Sequence, residues 1–386
     1  MKSFLFQSPT KVKFGVGASL ELAGLLAEFG AKRPMIVSGT HVSKTAGFLR
    51  TKEALCREGY EPVLFLSAVP DPPIETVDEA AALLRESGCD AVIAIGGGSS
   101  MDTAKAMAML AKNEGSVREY LFGGSRTVDH SPLPLLCVPT TAGSGSEVTA
   151  ASVISDHENH VKLSVTHPRL FPRCAVIDPG MQLDMPAFVT ATTGMDALTH
   201  AVESYVSLNA SPFSDAYGAA AMKRIAANLR TACREPQNLE ARSNMAVASC
   251  MAATAYASGG LGAVHGMAQA LGGVAYVAHG TANALLLPYV LEKNIRGNPV
   301  KFAEIAGFLG ADTAGLSPEA AAELAVREVR RLAEDLNIPR TLREVGVTPD
   351  LFPAIIKGTM EYRLLKINPV PLTEKDIEEI LQNAWE

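Results

Sequence analysis

The hydrophobic pattern of this chain changes at Pro179-Gly180, and that change limits the folds open to it. Before it, the apolar runs PMIVSG, PVLFLS, AVIAIGGG, LLCVPT and CAVIDP read as buried strands, and helical stretches over roughly residues 43–58 and 74–87 separate the first three. Strands alternating with helices predict a mostly parallel sheet covered on both faces. After residue 180 there is almost no strand signal. Ala-, Leu- and Met-rich stretches follow with helical spacing. In SPEAAAELAVREVRRLAEDLNIP, Ser317 can cap a helix, Pro318 suits its first position, and Asn337 with Pro339 ends it. At 386 residues the chain is too long for one compact core. The expectation is an α/β domain over 1–180 and an all-helical domain over 181–386.

Two segments of the first half carry the chemistry of anion binding. In AVIAIGGGSSMDTAKAMAML a hydrophobic strand runs into Gly96, Gly97 and Gly98, then Ser99 and Ser100, then a helix. Glycines let backbone approach a ligand closely, and the free N–H groups of a helix start favour a phosphate. The loop lacks the GxGxxG spacing, and a tight turn that binds nothing would look similar. PTTAGSGSEVT repeats the small, hydroxyl-rich composition after another strand-like run, with Thr140, Thr141, Gly143, Ser144, Gly145 and Ser146. Two such loops can grip a dinucleotide from both sides.

The second half holds four candidate metal ligands. Asp196 and His200 are four apart in TATTGMDALTHAVESYV and share one helix face. His265 opens a second helix-like run, GGLGAVHGMAQALGGVAYVAHG, and His279 closes it about four turns on. One carboxylate and three imidazoles can complete the inner shell of a divalent transition metal and leave room for a substrate oxygen. Each of the four residues alone is commonplace. Three of the chain's eight histidines falling in these two runs, with Asp196 one turn from the first, is not.

Composition excludes several alternatives. Hydrophobic residues make up 47% and charged residues 19%, a globular balance. A net charge of −7 with no basic stripe argues against a nucleic-acid partner. The six cysteines lack CxxC spacing, and several lie in apolar runs, which suits buried thiols. No uninterrupted apolar run reaches a membrane span, and MKSFLFQSPTKVKFG lacks the apolar length of a signal peptide. The expectation is a soluble cytoplasmic protein.

The segments GGGSSMDTAKA (96–106), PTTAGSGSEVT (139–149), TGMDALTHAVESYVS (193–207) and HGMAQALGGVAYVAHGTANALLLPYV (265–290), with VPDPP near residue 70 and the late INPVPLTEKDI, resemble the iron-containing (group III) alcohol dehydrogenase family nearly end to end. The resemblance implies a Rossmann-like dinucleotide-binding domain, a helical domain and an active site in the cleft between them. It implies a metal, Fe2+ or Zn2+, on Asp196, His200, His265 and His279. It implies pyrophosphate at Gly97, Gly98 and Ser99, and further NAD(H) or NADP(H) contacts at Thr140, Thr141, Ser144, Thr149 and Lys162. Asp71 falls on the cofactor side, where the family more often has Asn. Tyr256 and Leu261 fall beside the substrate pocket, with Ala151, Arg363 and Lys366 in its neighbourhood.

Two departures from the family pattern stand out. Gln269 replaces a family histidine of the HxMAH motif that is thought to help relay a proton, and an amide cannot act as a base. Ser38-Gly39-Thr40 lacks the acid that NAD-preferring members carry to repel a 2′-phosphate, so NADP(H) is expected to be accepted at least comparably to NAD(H). The implied activity is reversible hydride transfer between NAD(P)(H) and a small alcohol or aldehyde, in a homodimer or larger homo-oligomer. The alternatives are a glycerol-dehydrogenase-like polyol oxidoreductase and a reductase of an anionic short-chain aldehyde such as sulfoacetaldehyde.

Overall fold

The computed structural model describes residues 3–159 and 161–386. They divide into two compact units, one spanning Ser8–Met185 and the other Pro186–Glu386 together with the N-terminal segment up to Gln7. The strands are β1 (Lys11–Phe14), β2 (Pro34–Val37), β3 (Val63–Phe65), β4 (Ala91–Gly96), β5 (Leu135–Pro139), β6 (Ala151–Asp156), β7 (Val161–Thr166) and β8 (Cys174–Ile177). Six of them pair in parallel in the order β1-β8-β5-β4-β2-β3, and β6 with β7 forms a separate antiparallel hairpin. The five apolar runs are β2, β3, β4, β5 and β8. The edge strand β1 and the hairpin carried no comparable signal.

β2, β4, β5 and β8 are buried at each residue because helices cover both faces of the sheet. Val92 and Ala94 point into one layer with Val77, Leu84, Met101 and Met107. Ile93 and Ile95 point into the other with Leu22, Phe48 and Leu55. Each fully buried Leu or Ile among these contributes roughly 1.5–3 kcal/mol over its exposed state. The helix after β2 (Ala46–Arg57) packs in the second layer, whereas the helix after β4 (Gly98–Leu110) packs in the first. The neighbours β2 and β4 therefore send their chains to opposite faces. In open α/β sheets such a reversal leaves a crevice at the carboxyl ends of the strands, where ligands bind.

The α/β unit runs to Met185. Asp178 holds the turn after β8 on the sheet: it accepts from Gly180 N at 2.9 Å, Gly17 N at 3.0 Å and Ser19 Oγ at 2.6 Å. The other unit is helical, and among its described residues there is no strand. Helix Pro318–Asp335 starts as its sequence indicates, with Ser317 accepting from Ala320 N. The run from His265 to His279 is not one helix. Ala263–Val274 stops, Tyr276 takes a left-handed φ of 54°, and His279 opens the next helix, His279–Asn294. No single helix among the described residues is long and apolar enough to cross a membrane.

Candidate active site

Helix Ala187–Val206 is buried along most of its length and carries Asp196 and His200 on one face, with Glu203 one turn further on the same face. Its small residues let neighbouring helices approach closely, as where Gly194 meets Leu229. Three imidazole Nε2 atoms converge on Asp196 Oδ1: His265 at 3.7 Å, His279 at 3.7 Å and His200 at 4.0 Å. Donors about 2.1 Å from one tetrahedral ion lie roughly 3.4 Å from each other. The observed spacing is close to that, and Asp196, His265 and His279 alone already form a compact ligand group. The rings of His200 and His265 stack at 4.6 Å, and Tyr256 covers His200 at 4.4 Å.

Asp196 is buried, which by itself favours its neutral form. His200, His279, His265 and the Asn283 amide outweigh that burial and hold the carboxyl below its usual value. Asn283 Nδ2 donates to Asp196 Oδ1 at 2.6 Å and lies 3.0 Å from His279 Nε2 and 3.2 Å from His265 Nε2. Its Oδ1 is buried without a hydrogen-bond partner among the described residues. An electropositive NH2 thus faces three atoms that would otherwise face a cation, at the cost of an orphaned carbonyl. That arrangement, and a donor set of one carboxylate and three imidazoles, fit a divalent transition metal.

Neither Glu203 nor Asn283 was singled out by the sequence reading. Their signal was positional: Glu203 lies seven residues after Asp196, and Asn283 four after His279. Gln269 lies one turn beyond His265 and is half-buried. Leu261 is half-buried in the turn that precedes helix Ala263–Val274, while Arg363 and Lys366 are exposed.

The two small-residue loops of the α/β unit meet each other. Gly96 ends β4, Gly97 caps the helix and Gly98 begins it. Thr140 N donates to Gly96 O at 2.9 Å, which ties the ends of β4 and β5 together. A Cβ on Gly97 would lie 3.4 Å from the Thr141 side chain, and one on Gly98 only 2.9 Å from Ser144 Oγ. The glycines thus allow one loop to lie against the other. Asp71 joins the same rim in a left-handed conformation: its N–H donates to Ser99 Oγ at 3.2 Å and its carboxylate pairs with Lys162 at 2.7 Å.

Lys105 underlies this arrangement. It is fully buried, and its Nζ donates to Ser146 Oγ at 2.7 Å, Thr149 Oγ1 at 3.1 Å and Ala151 O at 2.7 Å. Three acceptors match the three donors of an ammonium, even though burial lowers its pKa. Thr149 is thereby turned into the interior, 3% exposed. Gly39 follows β2 beside the reversal point. Ser38 Oγ is buried and donates to Ile95 O, and Thr40 Oγ1 donates to Leu66 O at 3.3 Å rather than standing free for a phosphate.

A doubly wound α/β unit with glycine loops at its switch point and, in the same chain, a helical unit with an Asp-His-His-His cluster are the parts that a metal- and dinucleotide-dependent oxidoreductase requires. Family models agree: iron-containing alcohol dehydrogenase matches residues 9–179, and the C-terminal model of the Fe-containing alcohol dehydrogenase family matches 190–385. A choline dehydrogenase from Bacillus subtilis (strain 168) is 39% identical over 97% of this chain and 93% of its own length. A 1,3-propanediol dehydrogenase from Citrobacter freundii is 38% identical over 100% of this chain and 99% of its own. A solved structure of a 1,3-propanediol oxidoreductase superposes with a TM-score of 0.96 at 36% identity, covering both chains completely. The chain belongs to the iron-containing alcohol dehydrogenase family, and it is an enzyme of alcohol–aldehyde oxidoreduction.

Proposed function

We propose that this enzyme transfers hydride between NAD(P)(H) and a small alcohol or aldehyde, using a metal held by Asp196, His200, His265 and His279. The observation that carries the reading is the convergence of three imidazole nitrogens within 4.0 Å of one buried carboxylate oxygen. Bound there, Fe2+ or Zn2+ supplies Lewis acidity to a substrate oxygen, and a nicotinamide supplies or accepts the hydride. The chain's own residues bind and orient. Gly97, Gly98 and Ser99 offer backbone N–H groups at a helix start to a pyrophosphate, and Thr140, Thr141 and Ser144 close over it from β5. Lys162, drawn to Asp71, offers its ammonium to a ribose hydroxyl. Tyr256 covers one side of His200 and limits water there. Gln269 cannot take a proton, so the proton leaves by water or a ribose hydroxyl.

Absence of an acid at Ser38-Gly39-Thr40 supports acceptance of NADP(H) beside NAD(H). The engaged hydroxyls of Ser38 and Thr40 favour tolerance of the 2′-phosphate over active capture of it. The six cysteines form no disulfide among the described residues and four of them are buried, which supports residence in a reducing compartment such as the cytoplasm. The edge strand β1, with Val12 and Phe14 half-exposed, supports self-association into a homodimer or larger oligomer.

The test loads metal-stripped protein with Fe2+ or Zn2+ and follows absorbance at 340 nm with NAD+ and NADP+ against short alcohols and with NADH and NADPH against short aldehydes. Carboxylated and sulfonated aldehydes belong in the panel. Turnover that returns with metal, on both cofactors, is the expected result. Full turnover without metal removes the proposed role of the four ligands.

A further inference from the structure

His265 is held from two directions, and only one involves the proposed metal. Its Nδ1 lies 2.6 Å from Glu203 Oε2, and both side chains are almost wholly buried. The other carboxylate oxygen, Oε1, accepts from Val264 N at 2.7 Å. That N–H is one of the unsatisfied donors at the start of helix Ala263–Val274. Gly262 opens the approach: a Cβ there would lie 3.0 Å from Glu203 Oε1 and 2.8 Å from Asn368 Oδ1. Asn368 Oδ1 accepts from Ala263 N at 3.2 Å, so the helix start is pinned by two side chains. Only Glu203 touches the imidazole as well.

We propose that Glu203 is a positioning residue of the metal site. Its carboxylate caps helix Ala263–Val274 through Val264 and holds the His265 proton on Nδ1, which leaves the Nε2 lone pair facing Asp196. A carboxylate can do both because each of its oxygens accepts. An amide cannot. With glutamine at 203, one turn of the side chain sets NH2 against the Val264 N–H. The other sets NH2 against Nδ1, forcing the proton to Nε2, where it blocks coordination. The buried carboxylate also places negative charge behind the imidazole, which makes Nε2 a stronger donor. The proposal rests on the metal reading above.

Glu203→Gln tests it, with Asn368→Ala as the comparison that weakens the same helix start without touching His265. Zn2+ affinity is measured by competition with a chromophoric chelator, and Co2+-loaded protein gives a visible spectrum that reports ligand geometry. Thermal unfolding of the metal-free proteins reads the structural cost separately. Glu203→Gln should lower Zn2+ affinity by about 10–100-fold and change the Co2+ spectrum. Asn368→Ala should lower the melting temperature yet keep Zn2+ affinity within about twofold, since it leaves His265 bonded to Glu203. Wild-type affinity in Glu203→Gln overturns the proposal. An equal loss in Asn368→Ala does so too, because Glu203 would then act through the helix start alone. Should Glu203→Gln fail to fold, nitrogen-15 spectra of metal-free wild type decide: a proton on His265 Nδ1 with Nε2 bare is expected, and a bare Nδ1 overturns the assignment. Wild type that binds no Zn2+ or Co2+ would refute the metal reading instead, so the two failures are distinguishable.

Discussion

The helical unit and the α/β unit build their candidate sites by opposite means. Around Asp196 the contacts come from the ends of large polar side chains, brought together from three helices. At β4 and β5 they come from backbone and from residues too small to obstruct it. A side-chain site depends on what each residue adds, so removing one group should leave the fold in place and change the chemistry. A backbone site depends on what residues omit, so adding one methyl should disturb the geometry while leaving every polar group present.

The largest test of that contrast is His279→Ala. His279 is the exposed member of the cluster, its side chain 41% accessible against 4% for His265. Its loss should lower metal affinity at least about a hundredfold, beyond what outer contacts usually cost, with turnover falling in parallel. Circular dichroism should stay unchanged. Full activity in metal-depleted His279→Ala protein would end the metal assignment.

Next comes Gly98→Ala. The added Cβ meets Ser144 Oγ at 2.9 Å and must push the two loops apart. NADH affinity should fall about tenfold or more, equivalent to about 1.4 kcal/mol, while metal content stays at the wild-type level. Calorimetric titration with NADH measures it. Unchanged affinity would mean that the fit of the loops does not matter to the cofactor.

Glu147 probes the interior behind those loops. Burial pushes its pKa up to about 7 from an ordinary 4.5, against the opposing pull of Lys105. The folded state therefore favours the neutral acid. Its contribution to stability is fully present below pH 4.5 and is lost as pH rises through about 7. Glu147→Gln should be more stable than wild type at pH 8 relative to pH 5, by roughly 1–3 kcal/mol. Urea unfolding at both pH values reads the difference, and parallel shifts would show Glu147 to be an ordinary carboxylate.

The smallest effect expected is that of Gln269→His, which adds a group titrating near neutrality beside His265. It should alter the pH dependence of kcat for alcohol oxidation while metal content stays constant. Superimposable profiles would remove position 269 from proton movement.

The same contrast explains what the sequence revealed. Strands such as AVIAIG and LLCVP are buried on both faces, so their apolar runs are continuous and easy to read. KVKF is an edge strand with one covered side and two lysines, and nothing in four residues separates it from a loop. The hairpin ASVISD and VKLSVT mixes small polar and apolar residues, because it lies outside the main sheet. Asp196 and His200 were legible since one helix carries both. Glu203 was not, since its partner His265 is 62 residues away and only the tertiary fold joins them. The break before His279 was hidden because AYVA is as apolar as the helices it separates. Thr149 was expected at the cofactor from the family resemblance alone. That Lys105 would turn it inward required knowing that Lys105 is buried.

The aromatic start of the chain ties synthesis to assembly. Phe6 stacks on Phe213 at 4.8 Å, and Phe4 lies against the same ring at 5.8 Å, so both side chains belong with the helical unit. The whole α/β unit is threaded between these partners. A ribosome moving at roughly 5–20 residues per second takes on the order of 10–40 s to travel from Phe6 to Phe213. Throughout that interval Phe4 and Phe6 lack that partner on the nascent chain. The α/β unit can finish folding while Phe4 and Phe6 wait, so a chain stalled before Phe213 carries two apolar rings without the surface that receives them.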